Sequence, residues 1–395
     1  MHQMVEISGT DRERAKSFNR RVVVEALHRH GPCSRVELSR LTGLSPQTIS
    51  NIIAEFLQAE LVHVSGRRLG RGQPQVDLAL RADAASSIGL SLEHDRLTGV
   101  RINLAGERRA ELCEAVTDPR PAALIPRIIA MVTALRDGVT AAPWGVGLAM
   151  PGPFATDGEA FAGPTTLPGW GELPVADRLG AELGLKVLVE RDAAAAARAE
   201  YLYGCARGLR SFFHLHFGRG LGGSAFTDGQ PLRGAHGNAG EIGLMVVEPG
   251  GRRHPGGPDG CLEAYVSIHA LQARLAASGL QTIDPAHEVV QDWIAEAALR
   301  LRGVIVTIEM LFDPEAIVIA GRLPQAVIAR LIAALEPLPP SIACRTGRGV
   351  PRVLAGSGIA GSPVLGAAAL PFYDWLAPDP QSMRKPASRR RHTGA

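Results

Sequence analysis

Residues 211–229 read SFFHLHFGRGLGGSAFTDG, and this stretch decides the fold of the larger part of the chain. Phe212 to Phe217 predict a strand, and Gly218 to Gly223 then satisfy the G-x-G-x-x-G pattern of a dinucleotide site. Such a site needs a helix directly after the glycines, because the helix N-terminus faces the pyrophosphate. Here Ser224 to Thr227 continue as a second strand that ends at the turn Asp228-Gly229. The stretch therefore predicts a strand, a glycine-rich turn and a second strand, and it excludes the dinucleotide interpretation.

A second strand-turn-strand unit, Ser87 to Gly106, lies nearer the N-terminus and has nearly the same length as Ser211 to Gly229. This weak internal repeat predicts two related α/β lobes with a cleft between them, a common place for a ligand. A glycine-rich turn between two strands is the phosphate-loop geometry of the actin-like kinase fold, or simply a tight turn. The predicted strands are Ser86–Leu92, Thr98–Leu104, Trp144–Met150, Leu185–Val189, Phe212–Phe217, Ser224–Thr227 and Pro314–Ala320, and the predicted long helices are 121–137, 263–278 and 288–311.

Residues 19–80 read as a smaller unit of three helices and a hairpin. The first helix runs from Arg20 to Arg29, and Ser34 with Glu37 forms a capping box that starts the second. Ser45 caps a third helix, which has proline at its first position and one buried apolar stripe. Two helices joined by a short turn containing glycine predict a helix-turn-helix, and the hairpin that follows predicts its wing.

The third helix and the hairpin loop carry the candidate DNA contacts. A short polar outer face suits the major groove, and arginines on a flexible loop can reach phosphates or a narrow minor groove. The alternative is a small helical domain with solvated arginines. Taken together, the features favour DNA binding. The predicted contacts are Ser45, Gln47, Thr48, Ser50, Asn51, Arg67, Arg68 and Arg71.

The composition is that of an ordinary globular protein, with 46% hydrophobic and 21% charged residues in 395. Five cysteines, far apart and without a C-x-x-C pair, argue against a disulfide framework and favour a reducing cytoplasm. The N-terminus lacks the apolar stretch of a signal peptide, and no run of about eighteen apolar residues occurs. We therefore expect a soluble cytoplasmic protein without a membrane partner.

Charge is unevenly distributed along the chain. Residues 1–80 contain 11 basic and 8 acidic residues, residues 378–395 contain 5 basic and 1 acidic, and the part between them contains 26 basic and 30 acidic. An anionic partner should therefore meet the ends first. The predicted division is a winged helix-turn-helix domain (1–80), a first α/β lobe (81–200), a second α/β lobe (201–377) and a basic disordered tail (378–395).

Short motifs from about residue 19 to 370 carry a resemblance to a known family. They are Asn19-Arg20-Arg21, Ser34-Arg35-Val36-Glu37-Leu38, Thr42-Gly43-Leu44-Ser45, Leu167-Pro168-Gly169-Trp170, Arg191-Asp192-Ala193-Ala194-Ala195-Ala196, Gly234-Ala235-His236-Gly237-Asn238-Ala239-Gly240-Glu241-Ile242-Gly243 and Gly260-Cys261-Leu262-Glu263. In these motifs and their order, the chain resembles transcription factors of the ROK family (repressor, open reading frame, kinase), such as bacterial xylose and N-acetylglucosamine repressors.

The resemblance implies an α/β protein with an N-terminal winged helix-turn-helix followed by a two-lobed actin-like ATPase (ribonuclease H-like) sugar-kinase fold that binds a sugar between its lobes. Asp192 matches the base of family kinases, and Glu241 and Glu263 match glutamates that hydrogen-bond sugar hydroxyls. The alternative is that these acids are surface or structural groups. The predicted ligand-binding set is Thr166, Arg191, Asp192, Glu241 and Glu263.

The phosphate loops depart from the family pattern. Family kinases hold ATP phosphates with an Asp-x-Gly-Gly-Thr turn, where this chain has Leu90-Ser91-Leu92-Glu93-His94-Asp95, and Arg219 replaces the threonine of the second loop. Phosphoryl transfer depends on phosphate positioning and metal-assisted neutralisation of charge, so we predict no kinase activity, no catalytic residue and no cofactor. An ATP-dependent sugar kinase with an appended DNA-binding domain is the alternative, and a DNA-binding protein insensitive to metabolites is a third possibility.

The zinc site of the family also departs from its pattern. Its ligand positions correspond here to Leu244, His254, Gly256 and Cys261. At most two of these can bind a metal, whereas tetrahedral zinc needs four ligands. The sequence therefore predicts no structural zinc.

Arg191 replaces the family asparagine beside Asp192. Either the ligand carries an anionic group, as in a sugar phosphate or sugar acid, or Arg191 pairs internally with Glu241 or Asp192 and the pocket no longer binds sugar. We favour the altered ligand. The sequence as a whole predicts a sequence-specific DNA-binding transcriptional regulator, most simply a repressor, with operator DNA, a small sugar-derived effector and a second copy of the chain as partners.

Overall fold

The computed structural model describes residues 12–68, 75–138, 142–153, 167–171, 173–345, 347–358 and 362–376. These residues form two compact units. One unit contains the residues up to Ala85 together with those from Pro371 onward, and the other is Ser86–Leu370. In the part of the chain that the structure describes, no helix is both long enough and apolar enough to span a bilayer.

The N-terminal unit contains three helices and a two-stranded antiparallel sheet, as predicted. Ser34 Oγ accepts from the Glu37 amide at 3.3 Å and Glu37 Oε2 accepts from the Ser34 amide at 2.8 Å, which confirms the capping box. Gly43, in a left-handed conformation with φ 69°, ends that helix. The elements are α1 (Arg12–His30), α2 (Arg35–Thr42), α3 (Pro46–Gln58), β1 (Val62–Arg68) and β2 (Gln75–Leu80).

The core of this unit lies beneath α3. Ile49 and Ile53 are fully buried on the apolar face of α3, and Leu78 on β2 is fully buried as well. Cys33 and Leu78 exchange two backbone hydrogen bonds of 3.0 Å, which tie the hairpin to the segment ahead of α2. Burial of one face of α3 leaves its opposite face to solvent.

The first lobe is a five-stranded sheet with helices packed against it. Its buried core includes Ile88, Leu148 and Trp170, and the Trp170 indole donates to the Pro119 carbonyl at 2.7 Å. Its elements are β3 (Ser86–Leu92), β4 (Arg96–Asn103), β5 (Arg108–Ala115), α4 (Pro121–Arg136), β6 (Val146–Met150), α5 (Val175–Leu183), β7 (Val187–Arg191) and α6 (Asp192–Tyr203). The strand order is β5-β4-β3-β6-β7.

The second lobe is also built on a five-stranded sheet, with α9 among the elements that form its core. Its elements are β8 (Ser211–Phe217), β9 (Leu221–Thr227), β10 (Gln230–Pro231), α7 (Glu263–Val266), α8 (Ile268–Ala277), α9 (Glu288–Phe312), β11 (Ala316–Gly321), α10 (Gln325–Ala334) and β12 (Val353–Ala355). The last helix, α11 (Pro363–Leu376), returns to the sheet of the first lobe, where Ser87 Oγ donates to the Ala368 carbonyl oxygen at 2.5 Å. The strand order is β10-β9-β8-β11-β12.

The two sheets share one topology. In each, three antiparallel strands are followed by two parallel ones, because β3 pairs antiparallel with β4 and parallel with β6, while β8 pairs antiparallel with β9 and parallel with β11. This confirms the repeat predicted from two stretches of similar length. The glycine-rich segment lies between β8 and β9, so the rejection of a dinucleotide fingerprint is confirmed as well.

The predicted helix 263–278 is wrong in one respect, because it is two helices that break at Ser267. Ser267 has an extended backbone and its Oγ accepts from the Ala270 amide at 3.1 Å, so it caps α8. The predictions also omitted several elements. They include the edge strand β5, whose exposed pattern lacks alternation, and the alanine-rich α6, whose small buried side chains give little amphipathic signal.

Helices α6 and α11 pack unusually close to the first sheet and to each other. A Cβ added at Gly147 on β6 would lie 1.9 Å from the Ala367 carbonyl oxygen, and one added at Gly366 would lie 1.7 Å from the Ala195 oxygen. Only glycine fits at such distances. This packing fixes the N-terminus of α6, and therefore Asp192, at the end of β7.

Candidate functional site

A cavity of about 400 Å³ lies between the two lobes. Four of the five predicted ligand-binding residues line it, and they come from the β7–α6 junction, the start of a short 3-10 segment (Ile242–Leu244) and the start of α7. These four are Arg191, Asp192, Glu241 and Glu263. Thr166, the fifth, lies outside the described residues.

Arg191 makes its contacts within the protein. Its side chain is 3% exposed, Nη1 donates to Glu241 Oε1 at 2.9 Å, and Nη2 donates to the Ala239 carbonyl oxygen. Burial raises the pKa of Glu241, while the nearby Arg191 charge acts in the opposite direction. Both Nη groups of the guanidinium are thus engaged by the second lobe, which is the internal pairing predicted as one of two alternatives.

Asp192 is the first residue of α6 and is half-buried at the cavity. Its Oδ1 accepts from the Ala193 amide at 2.7 Å. Burial raises the pKa of Asp192 from its ordinary value of 3.8 to about 6, against the lowering effects of that amide and of Arg191. Near neutral pH this carboxyl can exchange a proton or accept hydrogen bonds from hydroxyl groups.

Glu263 is anchored from two sides. Its Oε2 accepts from the Leu221 amide at 3.1 Å, and its Oε1 lies 3.3 Å from His254 Nε2. A Cβ added at Gly220 would lie 2.5 Å from Oε1, so the glycine of the β8–β9 turn makes room for this carboxylate. His254 also lines the cavity, although the sequence presented it only as a position of the lost zinc site.

The turn between β3 and β4 carries an ion-pair cluster. Arg322, directly after β11, donates from Nη1 and Nη2 to the two carboxylate oxygens of Asp95, each at 2.9 Å. Nη1 also lies 2.7 Å from Glu93 Oε2. Burial raises the pKa of Glu93, and the Arg322 charge lowers it. We call Glu93, Asp95 and Arg322 the inter-lobe latch, because it joins the first lobe to the second.

The inter-lobe latch stands between two cavities. A second cavity of about 340 Å³ shares Ser91, Glu93 and His216 with the first and has Arg322 in its wall. His216 is buried, which lowers its pKa to about 4, so this imidazole is neutral at physiological pH. Arg322 could not be predicted as a partner of Asp95, because the two residues lie 227 positions apart.

In the N-terminal unit, the outer face of α3 carries a coupled pair of amide side chains. Gln47 and Asn51 are exposed, and Gln47 Nε2 donates to Asn51 Oδ1 at 3.0 Å. Ser45 and Thr48 serve the helix end instead, because Ser45 Oγ accepts from the Thr48 amide at 3.2 Å and their hydroxyls lie 2.8 Å apart. Ser50 is half-buried.

The predicted wing is described only in part. Arg67 is exposed on β1 opposite Val76 of β2, and Arg68 ends that strand opposite Gln75. Arg71 lies outside the described residues. The hairpin thus places Arg67 on the surface of the unit that contains α3.

Comparison with known proteins identifies the relatives of this chain. The model of the ROK family matches residues 97–372. The DNA-binding transcriptional repressor Mlc of Escherichia coli is 27% identical over 346 residues, which cover 80% of this chain and 83% of Mlc.

Two solved structures have the same fold. One is a ROK family transcriptional regulator, a homologue of E. coli Mlc, with 22% identity, a TM-score of 0.69, and coverage of 92% of this chain and 98% of that one. The other is a ROK family glucokinase from Streptomyces griseus in complex with glucose and AMPPNP, with 25% identity, a TM-score of 0.61, and coverage of 72% and 99%. The family match spans well over half of the sequence. This chain therefore belongs to the ROK family.

Proposed function

We propose that this protein is a DNA-binding transcriptional repressor whose affinity for its operator is controlled by a sugar bound between the two lobes. The observation that carries the proposal is the cavity between the lobes, which Asp192 and Glu263 line, together with the inter-lobe latch, whose charged side chains stand where the family resemblance implies a phosphate-binding turn. The similarity to the repressor Mlc supports the same conclusion.

The N-terminal unit is proposed to bind DNA as a winged helix-turn-helix. Helix α3 follows α2 after a turn at Gly43 and presents Gln47 and Asn51 to solvent. Exposed amides on the first turns of such a helix can read base edges in the major groove. Arg67 on the hairpin is placed to contact phosphates, a contact that positions a protein on DNA without reading sequence.

A neutral sugar is the effector that the cavity favours. Arg191 donates to Glu241 and to the Ala239 oxygen, so its charge is already balanced inside the protein. The carboxyls of Asp192 and Glu263 accept hydrogen bonds, and adjacent sugar hydroxyls supply donors for them. This reverses the preference for an anionic ligand drawn from sequence.

Phosphoryl transfer is not proposed, although Asp192 stands at the position of a base. A kinase needs phosphate oxygens and metal held beside the sugar hydroxyl. Here the carboxylates of Glu93 and Asp95 occupy the first phosphate turn, and Arg322 neutralises them. Asp192 can still bind a ligand hydroxyl in such a cleft.

Binding to the DNA upstream of the protein's own gene tests the first half of this proposal. Fluorescence anisotropy should show that Asn51→Ala weakens binding about tenfold, because a lost base contact costs roughly 1 to 3 kcal/mol. Gln58→Ala, exposed at the other end of the same helix, is the matched control and should bind as wild type does. Undiminished binding by Asn51→Ala together with Gln47→Ala would contradict the assigned surface.

A melting-temperature titration with neutral hexoses and pentoses, sugar acids and sugar phosphates tests the second half. A ligand that binds only the folded state raises the melting temperature. We expect a neutral sugar to raise it and Glu241→Gln to reduce the shift. A response to sugar phosphates alone would restore the anionic alternative, and a protein that binds DNA but responds to none of these compounds would lack the proposed control.

A further inference from the structure

The loop between the 3-10 segment and α7 corresponds to the zinc site of the family. Its side chains in this chain do not suit a zinc ion. Zinc bound here would need four ligands, but Leu244 has an apolar side chain and Gly256 has none. Of the two remaining positions, His254 directs Nε2 toward Glu263 Oε1 at 3.3 Å. Within the described residues, no three side chains of the metal-binding types lie close enough to hold an ion. The residues present therefore do not fit structural zinc.

An aromatic ring holds the loop instead. Tyr265 on α7 is 2% exposed, and two guanidinium groups lie over its ring. The Arg252 Cζ is 4.6 Å from the ring centroid and the Arg300 Cζ is 4.4 Å from it. Cations this close to a buried ring are attracted by its quadrupole, and the attraction is stronger where water is partly excluded.

Each of these two arginines also forms an ion pair with a carboxylate, and each ion pair joins the loop to α9. In the loop, Arg252 Nη2 lies 2.9 Å from Oε1 of Glu296 on α9. On α9, Arg300 Nη2 lies 2.5 Å from Oε2 of Glu248 in the loop. The Arg252 amide donates to Tyr265 Oη at 2.7 Å. The loop and α9 are therefore cross-linked twice around a single ring.

The backbone of the loop closes on itself in the same region. Gly260, with φ 76°, donates its amide to the Arg252 oxygen at 2.8 Å, and its carbonyl accepts from the Glu248 amide at 3.1 Å. A Cβ at Gly260 would lie 1.7 Å from the Glu248 oxygen, so only glycine fits. These backbone contacts hold the loop in a closed conformation.

We propose that Tyr265, which Arg252 and Arg300 contact through its ring, is a positioning residue that takes over the role of the metal. We call this three-residue contact the clamp, and it holds His254 and Glu263 in the ligand cleft. Tyr265 lies two positions after Glu263 on the same short helix, so the clamp fixes the carboxylate directly. The clamp fixes His254 through the backbone of the loop, because His254 follows Arg252 by two positions. That these two side chains serve a ligand rests on the proposed function, whereas the clamp itself does not.

Purified full-length protein should contain less than about one tenth of an equivalent of zinc, and EDTA should leave its melting temperature unchanged. Tyr265→Leu should lower the melting temperature by about 5 to 10 °C, because it empties a buried aromatic site and strands two arginines. Tyr265→Phe keeps the ring that the two arginines contact, and its melting temperature should stay close to that of the wild type. One equivalent of zinc with chelator sensitivity, or a Tyr265→Leu protein that melts as wild type does, would overturn the proposal.

Restoring ligands offers a rescue test. Leu244→His with Gly256→Cys places a metal-binding side chain at all four family positions. If the clamp substitutes for the metal, zinc should raise the melting temperature of this double variant and recover part of the loss in a triple variant that also carries Tyr265→Leu. Absence of any zinc response, with the triple variant folded, would show that the clamp and the metal are not interchangeable. If Tyr265→Leu fails to fold, Arg300→Ala is used in its place, because it removes one of the two arginines that contact the ring.

The positioning role is read from the imidazole resonances of His254, assigned with His254→Asn. Tyr265→Leu should shift them while Tyr265→Phe leaves them in place. His287, whose Nδ1 accepts from the Val289 amide at 3.2 Å at the start of α9, is the internal control and should not move. Unchanged His254 signals in Tyr265→Leu would refute the positioning role. None of these readouts uses DNA or sugar, so a failure here is distinct from a failure of the proposed function.

Discussion

The turns that join the first two strands of each lobe occupy equivalent places in two sheets of identical topology, yet they have opposite characters. The turn of the first lobe carries Glu93 and Asp95, whose carboxylates are held by Arg322. The turn of the second lobe, Gly218 to Gly220, has two glycines and lines the open cavity. In this chain, one copy of a duplicated backbone position carries paired charged side chains, the other carries glycines, and both line the cavity between the lobes.

This difference shows that the topology supplies two equivalent backbone positions but does not determine their use. At the first turn, Glu93 and Asp95 pair with Arg322 of the second lobe. Glycines at the second turn leave space for Glu263, since a Cβ at Gly220 would clash with that carboxylate.

Removing the arginine of the inter-lobe latch should have the largest effect on the closed turn. Arg322→Ala leaves Glu93 partly buried without its cation, and we expect a loss of about 2 to 3 kcal/mol in the free energy of unfolding. Urea denaturation measures it. Arg345→Ala is the control, because it breaks an exposed pair with Asp313 and should cost less than about 0.5 kcal/mol. Equal losses in both variants would show that the closed turn is no more than a surface ion pair.

Asp192, at the open cavity, should make stability depend on pH. Its pKa is about 6 in the folded protein and about 3.8 when unfolded, so the folded state binds more protons between these values and loses stability as pH rises through this window. Asp192→Asn should match wild type near pH 4 and exceed it by about 1 to 2 kcal/mol above pH 7, allowing for partial solvent exposure. Unfolding free energies at several pH values measure this, and a constant difference would contradict the assignment.

Adding one methyl group should disturb the open turn to a smaller extent. Gly220→Ala places a Cβ 2.5 Å from Glu263 Oε1, and we expect a loss of about 1 kcal/mol as the carboxylate shifts away from the Leu221 amide. Gly208→Ala, which meets no atom within 4 Å, is the matched control. Thermal denaturation compares the two. If they behave alike, Glu263 does not depend on the glycine of this turn.

The smallest effect is expected from nucleotide. With the first turn closed, Mg·ATP at about 1 mM should shift the melting temperature of the wild-type protein by less than about 1 °C. Arg322→Ala provides the comparison, since it removes the cation that holds the two acids in place. A shift of about 3 °C or more in wild type would mean that the turn still accepts phosphate, and the kinase alternative would regain support.

Much of the fold could be predicted because its signals are local. Capping at Ser34 and Ser45, and the two strands around Gly218, all depend on residues within a few positions of one another. The break at Ser267 was missed because a serine inside an apolar helical pattern gives a weak signal. Helix α6 was missed because its alanines are buried on every side by close packing that periodicity does not report.

By itself, the sequence indicated the order of most elements, the repeat of the two lobes, the family, and four charged residues that line the cavity, because motif residues are positioned by the strand or helix on which they lie. Only the tertiary structure decided which charges meet. Arg191 could face a ligand or pair internally, and it pairs with Glu241, 50 positions away. Arg322 pairs with Asp95, 227 positions away in the sequence. The Tyr265 ring contacts one arginine from a loop and one from α9. Such pairings depend on how separate segments pack, and local sequence carries no information about the distances that result.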